Sequence, residues 1–501
     1  MAAGVSAVVL ERDRNFLRGF LATGASQIVL QAQNLGLLVL FLRIAGPEAY
    51  GNWNLLILTT TVIALVATLN LQMAVVRFAA GETSKALAGA RVRRLLQTVI
   101  VLALGGTVLT MLLADLAARV SGEGGFAFVL RIGAPLVLLQ AIIVTANASL
   151  LAAHKATLLS IVGSGLTLLE LGAAGAVLWL GGSLVWVVLA YMAAKAFSAT
   201  ILLWLVWRAF PGDGVGDVGW KDTVRYSLPA LPATVAIWML NSGDRYLISH
   251  FQGMSDVGRY AAVNGIANLL LLVPVPLSIT LFPRVMHLWE TGDRAKASRY
   301  LTHAMSYLLI TLAPIAVGLV LVGDQVMAPL ATPTVVVASR AVLPWAIVSA
   351  VLWSPLTPYL TVLRVTDRTR LIGAVWIAAA VGVVLLGLVL VPILGIVGAA
   401  IARTFAFVLV TIAVVAASRR DISIPVPWGT LGRVLIATGL LSLVVWALLP
   451  VTGWPRLVLI AVAGGATYAM SLLLLERAVP PPERLLTRFM HPGFWTATGA
   501  E

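Results

Sequence analysis

What most limits this chain is a succession of apolar stretches, each long enough for a membrane helix, cut apart by short polar, glycine- and proline-bearing breaks. A helix needs about 20 residues to cross the ~30 Å hydrocarbon layer of a bilayer. Within lipid, only helices and closed barrels satisfy their own backbone groups. Fourteen stretches are read, at roughly 16–43, 53–76, 95–117, 129–152, 157–180, 183–207, 226–250, 258–282, 301–323, 338–363, 371–391, 395–417, 434–450 and 455–476. Only 11% of residues are charged, against about a quarter in soluble proteins. The expected fold is an all-α integral membrane protein. Its longest hydrophilic pieces, 208–225 and 477–501, are too short to fold as catalytic domains, so an enzyme is not expected.

The formal net charge of +14 is read against topology. With the N-terminus inside, 25 Lys and Arg fall on the inner side and 7 on the outer, while Lys195 and Arg403 fall within spans. Cytoplasmic loops carry such an excess of cations. Both termini are therefore expected in the cytoplasm, and no nucleic-acid partner is implied. The absence of cysteine excludes disulfides, thiolate metal sites and cysteine nucleophiles. The five histidines lack ligand spacing, and no metal or cofactor is expected. A cleavable signal peptide is not expected, because Glu11, Arg12, Asp13 and Arg14 precede an apolar stretch too long for a signal segment.

Shifting the sequence by 207 residues places Asn34 on Asn241, Gly36 on Gly243, Gly46 on Gly253, Gly51 on Gly258 and Arg77 on Arg284. The shift spans six helices, an even number, so both copies have one orientation. Two six-helix bundles then face each other across a central cleft, the arrangement of parallel-repeat transporters. The expected units are 1–207, a linker at 208–225, 226–420, helices 13 and 14 within 421–476, and a tail at 477–501. Pro229, Pro232, Pro274, Pro276, Pro344, Pro355 and Pro358 mark bends in the second half, as packing kinks or as gates.

Ionisable residues within spans are the candidate functional groups, since an unpaired charge at mid-membrane costs about 3 kcal/mol or more. Lys195 and Glu170 lie at similar depth on adjacent antiparallel spans, as a structural ion pair or as a cationic site gated by the carboxylate. Arg403 lies at similar depth on the repeat-related span. Asp244 and Arg245 are read as coupling or gating residues, either an acceptor for a coupling cation or part of an ion pair closing the outer gate. Arg77 and Arg284 sit at span ends, either snorkelling to headgroups or capturing phosphate at the inner entrance. Gln27, Gln31 and Asn34 form one stripe on span one, and with Asn241, Asn264 and Asn268 they are expected to line the cleft. Trp53, Trp179 and Trp454 are read as interface anchors, and Trp238 and Trp353 as sugar-stacking candidates.

The turn Gly46-Pro47-Glu48-Ala49-Tyr50-Gly51 resembles the outer turn of polysaccharide-biosynthesis transporters. So do Asp244-Arg245 leading to Phe251-Gln252-Gly253, the run Val257-Gly258-Arg259-Tyr260, and the turn Val391-Pro392-Ile393-Leu394-Gly395. Together they are similar to Wzx-type oligosaccharide-lipid flippases of the multidrug/oligosaccharidyl-lipid/polysaccharide (MOP) superfamily. The resemblance implies a V-shaped, fourteen-helix transporter in a bacterial inner membrane. It further implies an isoprenoid-diphosphate-linked glycan, of the undecaprenyl type, as substrate. The polymer is O-antigen, exopolysaccharide or capsule, and a polymerase and a chain-length regulator are the implied partners beside membrane lipids. On this reading Lys195, Arg403, Arg77 and Arg284 contact the diphosphate. The alternatives are a cation-coupled drug antiporter, a lipid II flippase, and, from another class, a membrane glycan polymerase or ligase. Beyond Arg43, the charged first-helix motif of lipid II flippases has no counterpart here.

Overall fold

The computed structural model describes residues 26–80, 85–211, 220–448 and 454–477. The start of span one, the segment judged not to be a signal peptide, the middle of the 208–225 linker and the tail after 477 lie outside the described residues. So does the side chain of Trp454.

Every regular element among the described residues is a helix. In the first half these are α1 (26–40), α2 (Gly46–Ala67), α3 (Gln72–Ala80), α4 (Lys85–Leu112), α5 (Ala114–Ser121), α6 (Phe126–Gly133), α7 (Leu136–Ala152), α8 (Ala156–Trp179) and α9 (Leu184–Ala209). The second half holds α10 (Trp220–Ser227), α11 (Leu231–Ser242), α12 (Asp244–Gln252), α13 (Met254–Ala267), α14 (Pro274–Glu290), α15 (Arg294–Met327), α16 (Pro333–Val365) and α17 (Thr369–Ser418). Then follow α18 (Trp428–Ala447), α19 (Trp454–Leu459) and α20 (Gly465–Arg477). Among the described residues nine helices are long and apolar enough to cross a membrane, or ten if α6 and α7, bent by 46°, are one span.

Two of those nine double back. The stretch Ser26–Ala67 turns at Gly46, so the Phe41 ring lies 5.2 Å from Trp53. A straight helix would separate those residues by about 18 Å. Helix α17 turns at Gly395, where φ is 59° and ψ −138°, and a Cβ on Gly398 would stand 2.2 Å from the Leu390 carbonyl oxygen. The prolines act unevenly. Helix α16 continues through Pro344, Pro355 and Pro358. By contrast, Pro229 lies in the 3₁₀ turn Leu228–Ala230 and Pro274 follows the 3₁₀ stretch Asn268–Leu272, so spans seven and eight are interrupted.

Helices α4, α7 and α9 bury Val92, Leu96, Leu150 and Val206 against one another. In the second half α15, α16 and α17 enclose Leu308, Ile347, Val362 and Phe407. Helices α18 and α20 pack on each other and on α15 through Leu441, Tyr468 and Val322, as an appendage. Lipid supplies little hydrophobic drive between such helices, so close packing and buried hydrogen bonds hold them.

The repeat is written into the backbone. Gly46 (φ 85°, ψ 173°) and Gly253 (φ 86°, ψ 173°) adopt one conformation, in a region that side-chain-bearing residues avoid. Just beyond them α2 crosses α13 with Gly51 against Gly258. A Cβ on Gly51 would lie 2.0 Å from the Met254 carbonyl oxygen, and one on Gly258 would lie 1.8 Å from that of Pro47. Met254 and Pro47 are themselves 207 residues apart, so the contact is its own repeat mate.

Around this crossing the two halves are stitched by hydrogen bonds. Ser249 Oγ donates to the Ser121 carbonyl at 2.8 Å, the Met254 amide to Glu123 Oε1 at 3.2 Å, and Arg43 to the Ala328 carbonyl at 3.0 Å. Towards the opposite, basic end, Asn70 Nδ2 donates to Thr234 Oγ1 at 3.2 Å and Arg77 stacks on Tyr226 at 4.9 Å. The halves therefore meet at both ends.

Replacing Gly51 by Ala is expected to open the glycine crossing. The native chain lacks cysteine, so a cysteine at Asn54 can report it. Labelling by a membrane-impermeant maleimide added at the Gly46 end should be roughly tenfold faster with Gly51→Ala than with Gly51 intact, the effect of a bias of about 1.4 kcal/mol. Equal rates would show that the crossing does not seal that end.

Candidate functional site between and within the bundles

Three interior cations organise the site, and each has different surroundings. Lys195 on α9 reaches Glu170 on α8, Nζ to Oε2 at 2.9 Å, with the two side chains 17% and 6% exposed. Glu170 also accepts from Ser198 Oγ at 3.1 Å and from Gln33 Nε2 at 3.4 Å. The Lys195 ammonium lies 5.4 Å from the centre of the Tyr191 ring. This carboxylate, on α8, is satisfied by three side chains from two other helices, α9 and α1.

Arg403 on α17 meets Asp244 on α12 at 3.6 Å, donates to Asn264 Oδ1 and stacks on Tyr260, whose hydroxyl donates to Asp244 Oδ2. All four side chains are buried. Arg403 lines neither of the two cavities described below. Lys195 and Arg403 were expected to face one common cleft, and here the geometry corrects the expectation. Lys195 borders a cavity inside the first bundle, and Arg403 is enclosed in a polar cluster of the second. A guanidinium within a membrane bundle needs a counter-charge, and Asp244 supplies it. Asp244, expected to be a coupling or gating residue, is engaged here by Arg403 and Tyr260.

Arg245 is the third cation. Neighbours on a helix point about 100° apart, so when Asp244 turns inward to Arg403, Arg245 turns to the face between the bundles. There it lines a cavity of about 210 Å³ with Gln31, Asn34, Tyr50, Trp53 and Tyr191 of the first half and Asn268 of the second. Arg245 is buried, and no hydrogen bond or ion pair holds it among the described residues. The Asn54 amide oxygen, on the same cavity, also finds no partner there.

A larger cavity, about 530 Å³, lies within the first bundle between α1, α7, α8 and α9. Gln27, Lys195 and Glu170 line it. Gln33, Asn34 and Tyr191 line both cavities and so form the wall between them. Pattern reading missed Gln33 because it lies off the Gln27, Gln31, Asn34 stripe. Its signal was simply a fourth amide in one apolar helix.

Other expected residues are placed as follows. Asn241 bonds the Ile237 carbonyl of its own helix at 2.8 Å and, like Arg77 and Arg284, lines neither cavity. Trp53 is no interface anchor: it is buried beside Phe41 and edge-on to Tyr191, ring centres 4.8 Å apart. Trp179 is exposed at the end of α8. Trp353 packs into a cluster with Trp376 and Phe407, and Trp238 lies 6.1 Å from Tyr246, both away from these cavities.

A family model described as polysaccharide biosynthesis protein matches residues 16–289, more than half of the chain. The chain belongs to the polysaccharide biosynthesis protein family. A second model, MatE, matches residues 229–393 of this family member. The probable flippase AglR of Haloferax volcanii is 30% identical over 241 residues, 46% of this chain. That match spans 50% of AglR's own length.

Among solved structures, the lipid II flippase MurJ in an inward closed conformation superposes with a TM-score of 0.77 at 11% identity, over 91% of this chain and 99% of that one. An inward-facing multidrug transporter of the MOP superfamily gives 0.61 at 18% identity, over 78% and 93%. The eukaryotic MATE transporter AtDTX14 gives 0.60 at 13%, over 85% and 99%. This polysaccharide biosynthesis family member is thus a multi-pass membrane protein with the fold of MOP-superfamily transporters.

If Lys195 and Glu170 are a compensated pair, breaking it from one side is costly. Lys195→Met is expected to destabilise the protein by roughly 3–5 kcal/mol by stranding a buried carboxylate, and adding Glu170→Gln should recover most of that loss. Thermal unfolding in detergent reads both. A double variant no more stable than Lys195→Met would show that the two charges do not compensate each other.

Proposed function

We propose that this protein is a flippase that carries an anionic, isoprenoid-linked glycan across a membrane by alternating access. The observation that carries the reading is Arg245, a buried guanidinium without a counter-ion among the described residues, facing a cavity between the two halves. A charge in that position gains most from an anionic ligand. A phosphate oxygen accepts charge-assisted, fork-like hydrogen bonds from a guanidinium, stronger than those between neutral groups. Five amides and three aromatic rings stand around it among apolar residues, and they suit a head that is hydroxylated as well as charged. The name of the family and the flippase names of AglR and MurJ support the same class.

In this reading no bond is made or broken. Transport is differential binding to two arrangements of the same bundles. The excess of cations at the end bearing Arg77 and Arg284 supports placing that end in the cytoplasm, with the headgroup moving from the inner to the outer leaflet. We read the lipid as an undecaprenyl-diphosphate or a similar isoprenyl phosphate carrier and the membrane as a prokaryotic cytoplasmic membrane. Downstream partners are then a polysaccharide polymerase and its chain-length regulator. A drug antiporter exchanging cations on membrane carboxylates fits less well, since Glu170 and Asp244 are already engaged by Lys195 and Arg403.

The test is transfer of a fluorescently labelled isoprenyl-diphosphate glycan across proteoliposomes, read by chemical quenching from one side. Arg245→Gln is expected to slow transfer roughly tenfold or more, the loss of a charged hydrogen-bonding partner worth about 1.5–3 kcal/mol. Arg245→Lys should retain part of the rate. Wild-type transfer by Arg245→Gln would remove Arg245 from the site and the reading with it.

A further inference from the structure

The cavity inside the first bundle is larger than the one between the halves and is built differently. Two polar stripes face each other across it. One is Gln27 and Asn34 on α1. The other runs along α8, where Ser160, Ser164 and Thr167 follow a four-then-three spacing that ends at Glu170. Such stripes are costly in a membrane helix unless protein, water or ligand meets them. On the third side, Asn147 lines the cavity. The one charged pair on the wall, Lys195 with Glu170, is internally neutralised.

A volume of about 530 Å³ lies within the range of about 300–1,000 Å³ typical of small-molecule sites. Its polar groups carry no net charge and alternate with apolar residues such as Leu30, Ile143 and Leu166, a mixture that suits a neutral ring with hydroxyls on its edge and C–H groups on its face rather than a cation or a second phosphate. The wall shared with the Arg245 cavity is only Gln33, Asn34 and Tyr191. One ligand can therefore present its anion to Arg245 and its next groups to the first bundle.

We infer that the first-bundle cavity is a sugar subsite, which receives the carbohydrate next to the lipid phosphate while Arg245 holds the phosphate itself. The inference rests on the flippase reading above. In it the Asn147 amide nitrogen donates to a sugar oxygen, the α8 hydroxyls and the Gln27 amide exchange hydrogen bonds with the ring substituents, and the Tyr191 ring separates sugar from phosphate.

Gly163 supplies the experiment. It lines the cavity, and a Cβ built on it meets nothing within 4 Å, so a larger residue there projects into the empty volume and not into a neighbour. Gly165 is equally unobstructed but lines neither cavity and is exposed on the same helix. Leucine at either position favours a helix over glycine, which keeps the comparison clear of misfolding. The probes are decaprenyl diphosphate alone and decaprenyl diphosphate bearing one glucose, galactose, mannose or N-acetylglucosamine, bound to the full chain in phosphatidylcholine nanodiscs.

At least one sugar should tighten binding about tenfold over the bare lipid, the worth of about 1.4 kcal/mol of hydrogen bonding. Gly163→Leu should abolish that gain and leave the bare lipid's Kd unchanged, while Gly165→Leu should alter neither. If no sugar tightens binding, or if Gly163→Leu keeps the gain, the subsite is overturned while a bare lipid held through Arg245 still upholds the flippase reading. If the bare lipid fails to bind, or binds Arg245→Gln as well as the native protein, the flippase reading falls and the subsite falls with it.

Discussion

Positive charge inside a membrane bundle has to be answered by something, and the way each interior cation is answered orders the rest of this molecule. Lys195 and Arg403 are answered from within their own bundles, by Glu170 and Asp244, each with a tyrosine ring alongside. Those pairs lock neighbouring helices in rotation, because a carboxylate accepting from two other helices fixes which way each one faces. The consequence for α12 is direct. With Asp244 committed to α17, the next residue along has one direction left, and that is how Arg245 reaches the face between the halves. The charge left open for a ligand is a by-product of one that is closed.

The contact between the halves follows a different logic. Apolar side chains gain little by meeting each other in lipid, so the seam is built from backbone approach and hydrogen bonds. At Gly51 and Gly258 the backbones come closer than any side chain allows. Because each glycine meets the carbonyl four residues before the other, the contact sits on the pseudo-two-fold relating the bundles. A crossing with no side chains between its strands of backbone has nothing to interdigitate and nothing to unlock. The hydrogen bonds from Ser249, Met254 and Arg43 at that end, and from Asn70 at the other, can be exchanged for water as an end opens.

The fold was legible because its two determinants are one-dimensional. A span is a length of apolar residues, and a parallel repeat is an offset, and both survive in the string of letters. The matching dihedrals of Gly46 and Gly253 are the offset of 207 expressed in the backbone. The site was only partly legible, since it depends on helix rotation, which long-range partners set. Gln27, Gln31 and Asn34 could be read as a cavity stripe because they lie on one helix. That Arg403 lies in a closed cluster depends on Asp244, 159 residues away. Trp53 misleads for a related reason: it lies near the end of a span, where tryptophan marks an interface, but the hairpin at Gly46 folds Phe41 over it.

The two cavities are unequally shared between the bundles, since the larger lies within the first. Polar groups of the second bundle are engaged in the Asp244 cluster, whereas in the first bundle Asn147 and a row of hydroxyl residues on α8 line empty volume. Pseudo-symmetry of the backbone thus coexists with asymmetry of the interior. If both bundles were filled as the second is, the molecule would keep its rocking seam and lose room for a headgroup. In the flippase reading proposed above, one half closed by buried pairs and one half holding the larger cavity, joined at a glycine crossing, give a bulky, partly charged cargo both a frame and a space.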